Sequence, residues 1–442
     1  MTLLRHLLCT TLAIGVASAA SAEPDPRRFE GTELNMLYFE ISFVPGLKQL
    51  LPEFEEMTGI KVNIETLSEA AAVQKAQVES ATRTGAYDVV GMQSGNLPLY
   101  AQNGWLTPVA KFAGNADISI PDQLALDDFI PSTLQAMSYD GEQYCLPFFA
   151  ATTILYYQID KFRDAGIETP PTTYEELIDV SAKVHSADIP AIALRGAPPG
   201  TGNIWIFNSF FYGAGASYFA DFPNDMTPTV NSPEAVTALE TFVTLKNNYA
   251  PEGSVSFTYD DVVTAMQQGK VVMAIDGAPL AGRILDPSQS RVSDNLGFAV
   301  LPGGAAGPKP AFAAHGLCVT GASQNAAAAY MFIEWATSSE TMKKVAKNSQ
   351  YLATPRNSIW EDAEFREKYD YDFGGGSFLS TYQQSLAEAP PAYYPPFAAW
   401  SLVNNRIGQA VQSAEIGEAT PQEALDQANE DITKLLKEEG LL

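Results

Sequence analysis

Residues 143–184 read QYCLPFFAATTILYYQIDKFRDAGIETPPTTYEELIDVSAKV, and this stretch decides the fold. It opens with two runs rich in β-branched and aromatic residues, which predict extended chain. A short helix of mixed charge follows, then the stiff Pro170-Pro171 joint, then a helix opened by Thr173. Glu176 stands three residues after Thr173, the spacing of a capping box, in which the two side chains satisfy each other's orphan backbone N–H groups. Nothing in the stretch is a catalytic motif.

The same alternation of strand and helix extends outward on both sides. Toward the N-terminus, LNMLYF, IKVNIET and YDVVGM predict strands, separated by helices from about Pro45 to Met57 and from Glu69 to Thr82. Toward the C-terminus, IPAIALRG, VVMAIDG, LGFAVLP and HGLCVTG predict strands, and NIWIFNSFFYGAG, SPEAVTALETFVTLKNNY and TYDDVVTAMQQG predict helices. Ser232 is a natural N-cap with Pro233 at the first helical position, and Gly269 stops the helix before the strand that follows. From Asn325 onward the chain predicts almost continuous helix. Alternation of this kind gives an α/β fold with a mainly parallel sheet and helices on both faces. Ligands of such sheets lie beyond the carboxyl ends of the strands, so Phe39-Glu40 and Gln93-Ser94-Gly95 are the first candidate loops.

The termini and composition narrow the class. MTLLRHLLCTTLAIGVASAASAEP carries Arg5 and His6, a short apolar run and a small-residue Ala20-Ser21-Ala22 end, the pattern of a cleaved secretory signal over residues 1–22. The run is too short to span a bilayer, and Cys9 lies inside it rather than at its end, which argues for a soluble exported protein over a lipid-anchored one. The 442 residues carry 52 acidic against 26 basic side chains, a formal charge of −26 that should repel nucleic acid and anionic lipid. Cys145 and Cys318 are left after the signal; in an oxidising compartment they can form a disulfide, or they can serve as two small core thiols, and both readings stay open.

Several spaced segments carry a family resemblance. LLPEFEEMTGIKVNIE, GAYDVVGMQSGNLPLYAQNGWLTPV, GEQYCLPFFAATTILYYQIDKF, PPTTYEEL, MQQGKVVMAIDGA and AAAAYMFIEWATSSETMKKVAK, in that order, resemble the extracellular solute-binding proteins of sugar-type ABC importers. RGAPPGTGN looks most like the branch that binds polyols and monosaccharides. The resemblance implies two α/β lobes joined by a multi-crossing hinge, with a ligand cleft between them. It places crossings near Pro147 to Phe149, Asp276 to Ala278 and Cys318 to Gly321. The lobes expected from it are residues 23–147 plus 278–318, and 148–277 plus 319–442. Ligand would favour the hinge-closed form that a membrane permease recognises.

Sugar and polyol recognition needs an aromatic face for C–H groups and fixed polar groups for hydroxyls. Arg195, at the end of IALRG, fits the polar role, its alternative being a structural ion pair. Asn203 and Trp205 follow at a helix start; Trp205 is a stacking platform or a core residue. Asp276, followed by Gly277 at the end of VVMAID, accepts from hydroxyls or caps the helix after it. His315 stands where the resembled polyol binders are Trp-rich, and its alternative is a satisfied structural histidine. Of Phe148 and Phe149 beside the hinge, one is expected to face ligand and the other the lobe interior. Tyr394, in APPAYYPPF, is placed to cover the cleft mouth. Glu40, Gln93 and Ser94 complete the expected binding set.

The adjacent pairs Tyr156-Tyr157 and Tyr393-Tyr394 invite comparison with ferric-ion ligands, but hard ferric ligation wants further His or carboxylate partners, and His185 and His315 are too few for a His-rich site. No metal and no cofactor is expected. G-x-S-x-G, H-E-x-x-H, P-loop and C-x-x-C motifs are missing. The expectation is thus a periplasmic, monomeric, non-enzymatic binding component of a carbohydrate importer, taking a monosaccharide, polyol or short oligosaccharide, that docks transiently on an inner-membrane permease. A polyamine or other cation binder of the same fold is the alternative, and a secreted glycan-active enzyme the remote one.

Overall fold

The computed structural model describes residues 25–115, 117–119, 121–197, 202–390 and 392–442. The predicted secretory signal and most of the loop between Arg195 and Asn203 lie outside these residues.

The N-terminal elements form where the pattern places them: β1 (Glu33–Phe39), α1 (Phe43–Thr58), β2 (Lys61–Leu67), α2 (Glu69–Thr82), β3 (Val89–Gln93) and α3 (Leu97–Gln102). A single strand, β4 (Cys145–Gln158), replaces the two runs expected there, and every one of its fourteen residues is buried. Next come α4 (Tyr174–Val184), β5 (Ile192–Ala193), α5 (Asn203–Ala214), α6 (Pro233–Tyr249), α7 (Tyr259–Gln267) and β6 (Met273–Gly277). The chain continues through β7 (Leu296–Val300), β8 (Phe312–Thr320), α8 (Ala326–Ala336), α9 (Ser339–Asn348), α10 (Phe378–Glu388), α11 (Trp400–Glu415) and α12 (Pro421–Glu438).

Local chemistry sets the helix starts. Thr173 Oγ1 accepts from the Glu176 N–H at 3.2 Å while the Glu176 carboxylate accepts from the Thr173 N–H at 3.3 Å, the predicted capping box. Ser232 caps α6 through the Ala235 N–H. Among the described residues no helix is long and apolar enough to cross a membrane.

The sheet runs β2-β1-β3-β8-β4-β6-β5, with β7 also on β4. Pairs β1–β2, β1–β3 and β5–β6 are parallel, but β8 is antiparallel to both β3 and β4, and β6 and β7 are antiparallel to β4. The sheet is therefore mixed rather than mainly parallel, because its two central strands are the connections between the lobes. The first half of β4, from Cys145 to Thr152, pairs with β8; its second half, from Thr153 to Gln158, lies between β6 and β7. One strand thus belongs to both lobes.

This pairing redraws the expected division. Residues 278–311 do not return to the first lobe: β7 lies along the second half of β4, and the Tyr156 hydroxyl donates to the carbonyls of Gly277 and Ala278 at 2.9 and 3.0 Å. The chain recrosses at Phe312 to Ala314, opposite Ala150 to Thr152, rather than at Asp276 to Ala278 or Cys318 to Gly321. After α8 and α9, which pack on α1, a third crossing runs through Tyr351 to Ala353, where the Ala150 N–H donates to the Ala353 carbonyl at 2.9 Å. From α10 on, the helices pack on β4, β7, α5 and α6, in the second lobe. Sequence periodicity finds the strands but does not reveal which half of a long strand each one joins.

Cys145 and Cys318, register partners on β4 and β8, are joined in a disulfide with their Cα atoms 4.3 Å apart. It ties the first crossing to the strand that forms the second, 173 residues later.

Candidate functional site

The carboxyl ends of β1, β3, β5 and β6 gather on the crossing segments of β4 and β8, with Phe39 5.8 Å from His315, Gln93 paired with His315, Gly277 paired with Thr153 and Arg195 bonded to Asp276, and the space between these groups is the candidate cleft. The β4–β8 register shifts between His315 and Gly316: Phe149 pairs with His315 and Pro147 with Gly316, and Phe148 between them has no partner on β8, a bulge that turns the two phenylalanines to different surroundings. Phe148 is fully buried against Phe43 and Tyr38, with ring centroids 4.6 and 5.6 Å away. Phe149 stacks on His315 at 4.8 Å. Of the two phenylalanines expected at the hinge, Phe148 is therefore the one packed into the lobe interior.

His315 is paired through its backbone with Gln93 on one side and Phe149 on the other, and its Nδ1 is hydrogen-bonded to the Tyr38 hydroxyl at 2.6 Å. Burial pulls the imidazole from its ordinary value down to about 3, so it is neutral at any physiological pH. A neutral imidazole between aromatic rings is a flat, uncharged wall.

The second lobe contributes the charged centre. Arg195, just past β5, grips Asp276 at the end of β6: Nε lies 3.0 and 2.9 Å from the two carboxylate oxygens and Nη2 lies 2.5 Å from Oδ1. The Asp276 side chain is wholly buried, and its Oδ1 also accepts from the Gly277 N–H at 2.6 Å. Burial disfavours the guanidinium charge, and the adjoining carboxylate outweighs that penalty, holding Arg195 above its ordinary value. The guanidinium lies over two rings, Trp205 at 5.9 Å and Tyr259 at 5.5 Å. Trp205 is buried with its ring edge-on to Tyr393 at 5.7 Å, so it acts as a floor beneath Arg195.

Asn203 lies between two helices. It is fully buried and its amide donates to the Gly408 carbonyl at 2.9 Å, tying α5 to α11.

From the first lobe, the Gln93 amide donates to the Glu69 carboxylate at 2.8 Å, at the N-terminus of α2. The negative charge of Glu69 bears on Arg195, Tyr259 and Tyr394 from across the cleft. Ser94 is held by its N–H on the Ala314 carbonyl at 2.9 Å, and Glu40 stands exposed at the end of β1. Tyr394, from the segment between α10 and α11, brings its ring within 3.2 Å of where a Cβ on Gly95 would sit. That contact joins the two lobes directly. Burial raises the Tyr394 hydroxyl well above the usual tyrosine value, so it stays protonated and can donate.

The sequence reading missed Glu69 and Tyr259. Each opens a helix, where an acid near the N-terminus is favoured by the helix dipole and a Thr258–Asp261 capping box accounts for the local pattern. Three of the four paired tyrosines are structural: Tyr156 bonds the carbonyls after β6, Tyr157 stacks on Phe162 at 4.5 Å, and the Tyr393 hydroxyl donates to the Trp205 carbonyl at 2.7 Å.

Two α/β lobes, three crossings and polar and aromatic side chains gathered at the strand ends are the architecture of a solute-binding protein. Residues 41–343 match the model of the bacterial extracellular solute-binding protein family, and the chain belongs to that family. Among curated relatives, it is 25 % identical to a mannitol-binding protein of Pseudomonas aeruginosa over 89 % of this chain and 91 % of that protein. It is 22 % identical to an erythritol/L-threitol-binding protein of Mycolicibacterium smegmatis over 86 % and 81 % of the two chains. Among solved structures, an ABC-transporter solute-binding protein of Agrobacterium radiobacter in complex with ribitol superposes with a TM-score of 0.82 at 25 % identity, covering 93 % of this chain and all of that one. One from Agrobacterium vitis with bound D-mannitol gives 0.80 at 25 % identity, covering 92 % and 99 %.

Proposed function

We propose that this chain is the periplasmic binding component of an ABC importer and that its solute is an uncharged polyol or monosaccharide. The observation that carries the reading is the closed Arg195–Asp276 pair: the cleft presents a guanidinium whose charge is already balanced, over aromatic rings and beside a neutral imidazole. Such a surface donates to hydroxyl oxygens in a fixed fork without demanding an anion, and its rings take the C–H faces of the solute. Glu69, Gln93 and Tyr394 supply further acceptors and donors. The relatives that bind mannitol, erythritol and ribitol agree in solute class.

Closure follows from differential affinity. Arg195 and Tyr394 belong to one lobe and Glu69, Gln93 and Gly95 to the other, so a solute that bonds both sets binds the closed state better and shifts the population toward it. The closed monomer then docks on the permease, and no bond of the solute is broken. A polyamine is disfavoured because its ammonium groups would face Arg195, with Asp276 already engaged.

Thermal unfolding with D-mannitol, ribitol, erythritol, D-glucose and putrescine tests the reading. A bound solute at a hundred times its Kd adds about 2.7 kcal/mol of stability. Stabilisation by putrescine alone, or release of product from a chromogenic glycoside, would overturn it.

A further inference from the structure

Besides Asp276, the position of the Arg195 guanidinium depends on two segments, the one that carries it, 194–197, and the one that carries its partner ring Tyr259, 254–259. Both rest on a single buried ammonium. Lys246, on α6, is 4 % exposed, and its Nζ donates to the Leu194 carbonyl at 3.2 Å and to the Ser254 carbonyl at 2.6 Å. The segments are stitched further by the N–H groups of Gly196 and Ala197, which donate to the Phe257 carbonyl at 3.0 and 3.1 Å. Gly196 lets them meet: a Cβ there would fall 2.4 Å from the Ser254 carbonyl oxygen and 2.6 Å from Lys246 Nζ. Among the described residues, the only counter-charge acting on the ammonium is Glu415, on α11, itself 5 % exposed and with neither carboxylate oxygen hydrogen-bonded there.

We propose that Lys246 is a positioning residue of the binding cleft, whose ammonium clamps the Arg195 segment to the Tyr259 segment and so fixes the guanidinium that meets the solute. The proposal rests on the reading that Arg195 faces the solute. A fold that needed only packing here would place an apolar side chain, since a buried ammonium costs several kcal/mol unless its donors are satisfied. Lys246 spends its donors on the two strands of backbone that define the cleft wall. Burial pulls the lysine below its ordinary value and pushes Glu415 above the usual carboxylate range, each offset in part by the other. Both groups therefore belong to one desolvated unit, and their removal together leaves no stranded charge.

The test uses the mature protein carrying Lys246→Met with Glu415→Gln, and Glu415→Gln alone. Hydrogen exchange is measured without solute, and affinity is measured by calorimetry for D-mannitol and ribitol. The double variant is expected to speed exchange at 194–197 and 254–259 alone, keep its global unfolding free energy near the parent's, and bind whichever probe the parent binds at least tenfold more weakly. Glu415→Gln alone, which keeps both carbonyl bonds, is expected to bind within about twofold of the parent. Unchanged exchange in those segments, unchanged affinity, or equal weakening by Glu415→Gln alone would overturn the proposal. Should the double variant fail to fold, Gly196→Ala opens the same clamp from the opposite side, and it must weaken binding likewise. If the parent binds neither probe, the polyol reading falls, while the exchange measurement still decides whether the ammonium clamps the two segments.

Discussion

Arg195 and Asp276, expected from sequence as hydroxyl-binding residues with an ion pair and a helix cap as their alternatives, bind one another in a forked pair with three N–O distances of 3.0 Å or less. The pair turns two opposite buried charges into one neutral donor surface. Breaking it is costlier than replacing it, because removing one partner leaves the other charge buried and unpaired. Asp276→Asn is expected to cost about 3–5 kcal/mol in urea unfolding. The double change Arg195→Met with Asp276→Leu should cost clearly less than the single one while abolishing solute binding. Equal losses for both variants would show that the carboxylate does not carry the guanidinium.

Phe148 and Phe149 are adjacent and chemically identical, yet they should fail differently. Phe148→Ala empties a fully buried site between Phe43 and Tyr38 and is expected to cost about 3–5 kcal/mol of stability. Phe149→Ala removes the ring stacked on His315 and should chiefly weaken solute binding, read as a larger Kd with a smaller change in Tm. The reverse pattern would exchange their roles.

The helices and strands were legible because their periodicity and caps are local: Thr173 with Glu176, Ser232 with Pro233 and the Gly269 stop all act within a few residues. The division into lobes was not, since it depends on which half of β4 each of β6, β7 and β8 joins, and pairing partners lie more than a hundred residues apart. The site divided the same way. Arg195, Asp276, His315 and Tyr394 announced themselves as reactive types in strand-end or proline-rich loops, whereas Glu69 resembled any first-turn acid. The bond from Asn203 to the Gly408 carbonyl was not legible, because its partner lies 205 residues away.

His315 makes stability depend on pH in a defined direction. Its folded value of about 3 lies below the ordinary value of 6.5, so the unfolded chain takes up the proton first. The stabilisation is complete above about pH 6.5 and drains away as pH falls toward 3, at up to about 1.4 kcal/mol per pH unit for this one group. Urea unfolding between pH 7 and 4 should show that slope, and His315→Gln should flatten it by about one proton. An unchanged slope would place the acid sensitivity elsewhere.

The disulfide bears on folding more than on the cleft. Cys145 and Cys318 close a loop of 173 residues that contains most of the second lobe, and both sulfurs lie in the core away from Arg195 and Tyr394. In the chain-entropy treatment a loop of that length corresponds to about 5 kcal/mol, with about 2–5 kcal/mol the range usual on removal. Cys145→Ser with Cys318→Ser is expected to lower the unfolding free energy within that range and leave Kd for the bound solute within about threefold, because β4 and β8 keep their register through the flanking backbone pairs.

The Gly95–Tyr394 contact tests closure itself. With the tyrosine ring 3.2 Å from the position of a Cβ on Gly95, alanine fits only if the ring gives by a few tenths of an ångström, and valine does not fit without parting the lobes. Because the clash exists only when the lobes meet, Gly95→Val should leave the unfolding free energy of the solute-free protein near the parent's while weakening solute binding by tenfold or more. Tyr394→Ala removes both the obstacle and the hydroxyl donor. Combined with Gly95→Val it should restore the compact, solute-bound scattering profile without restoring full affinity. If Gly95→Val binds and compacts like the parent, the two residues do not meet in the closed protein, and the segment around Tyr394 does not cover the cleft.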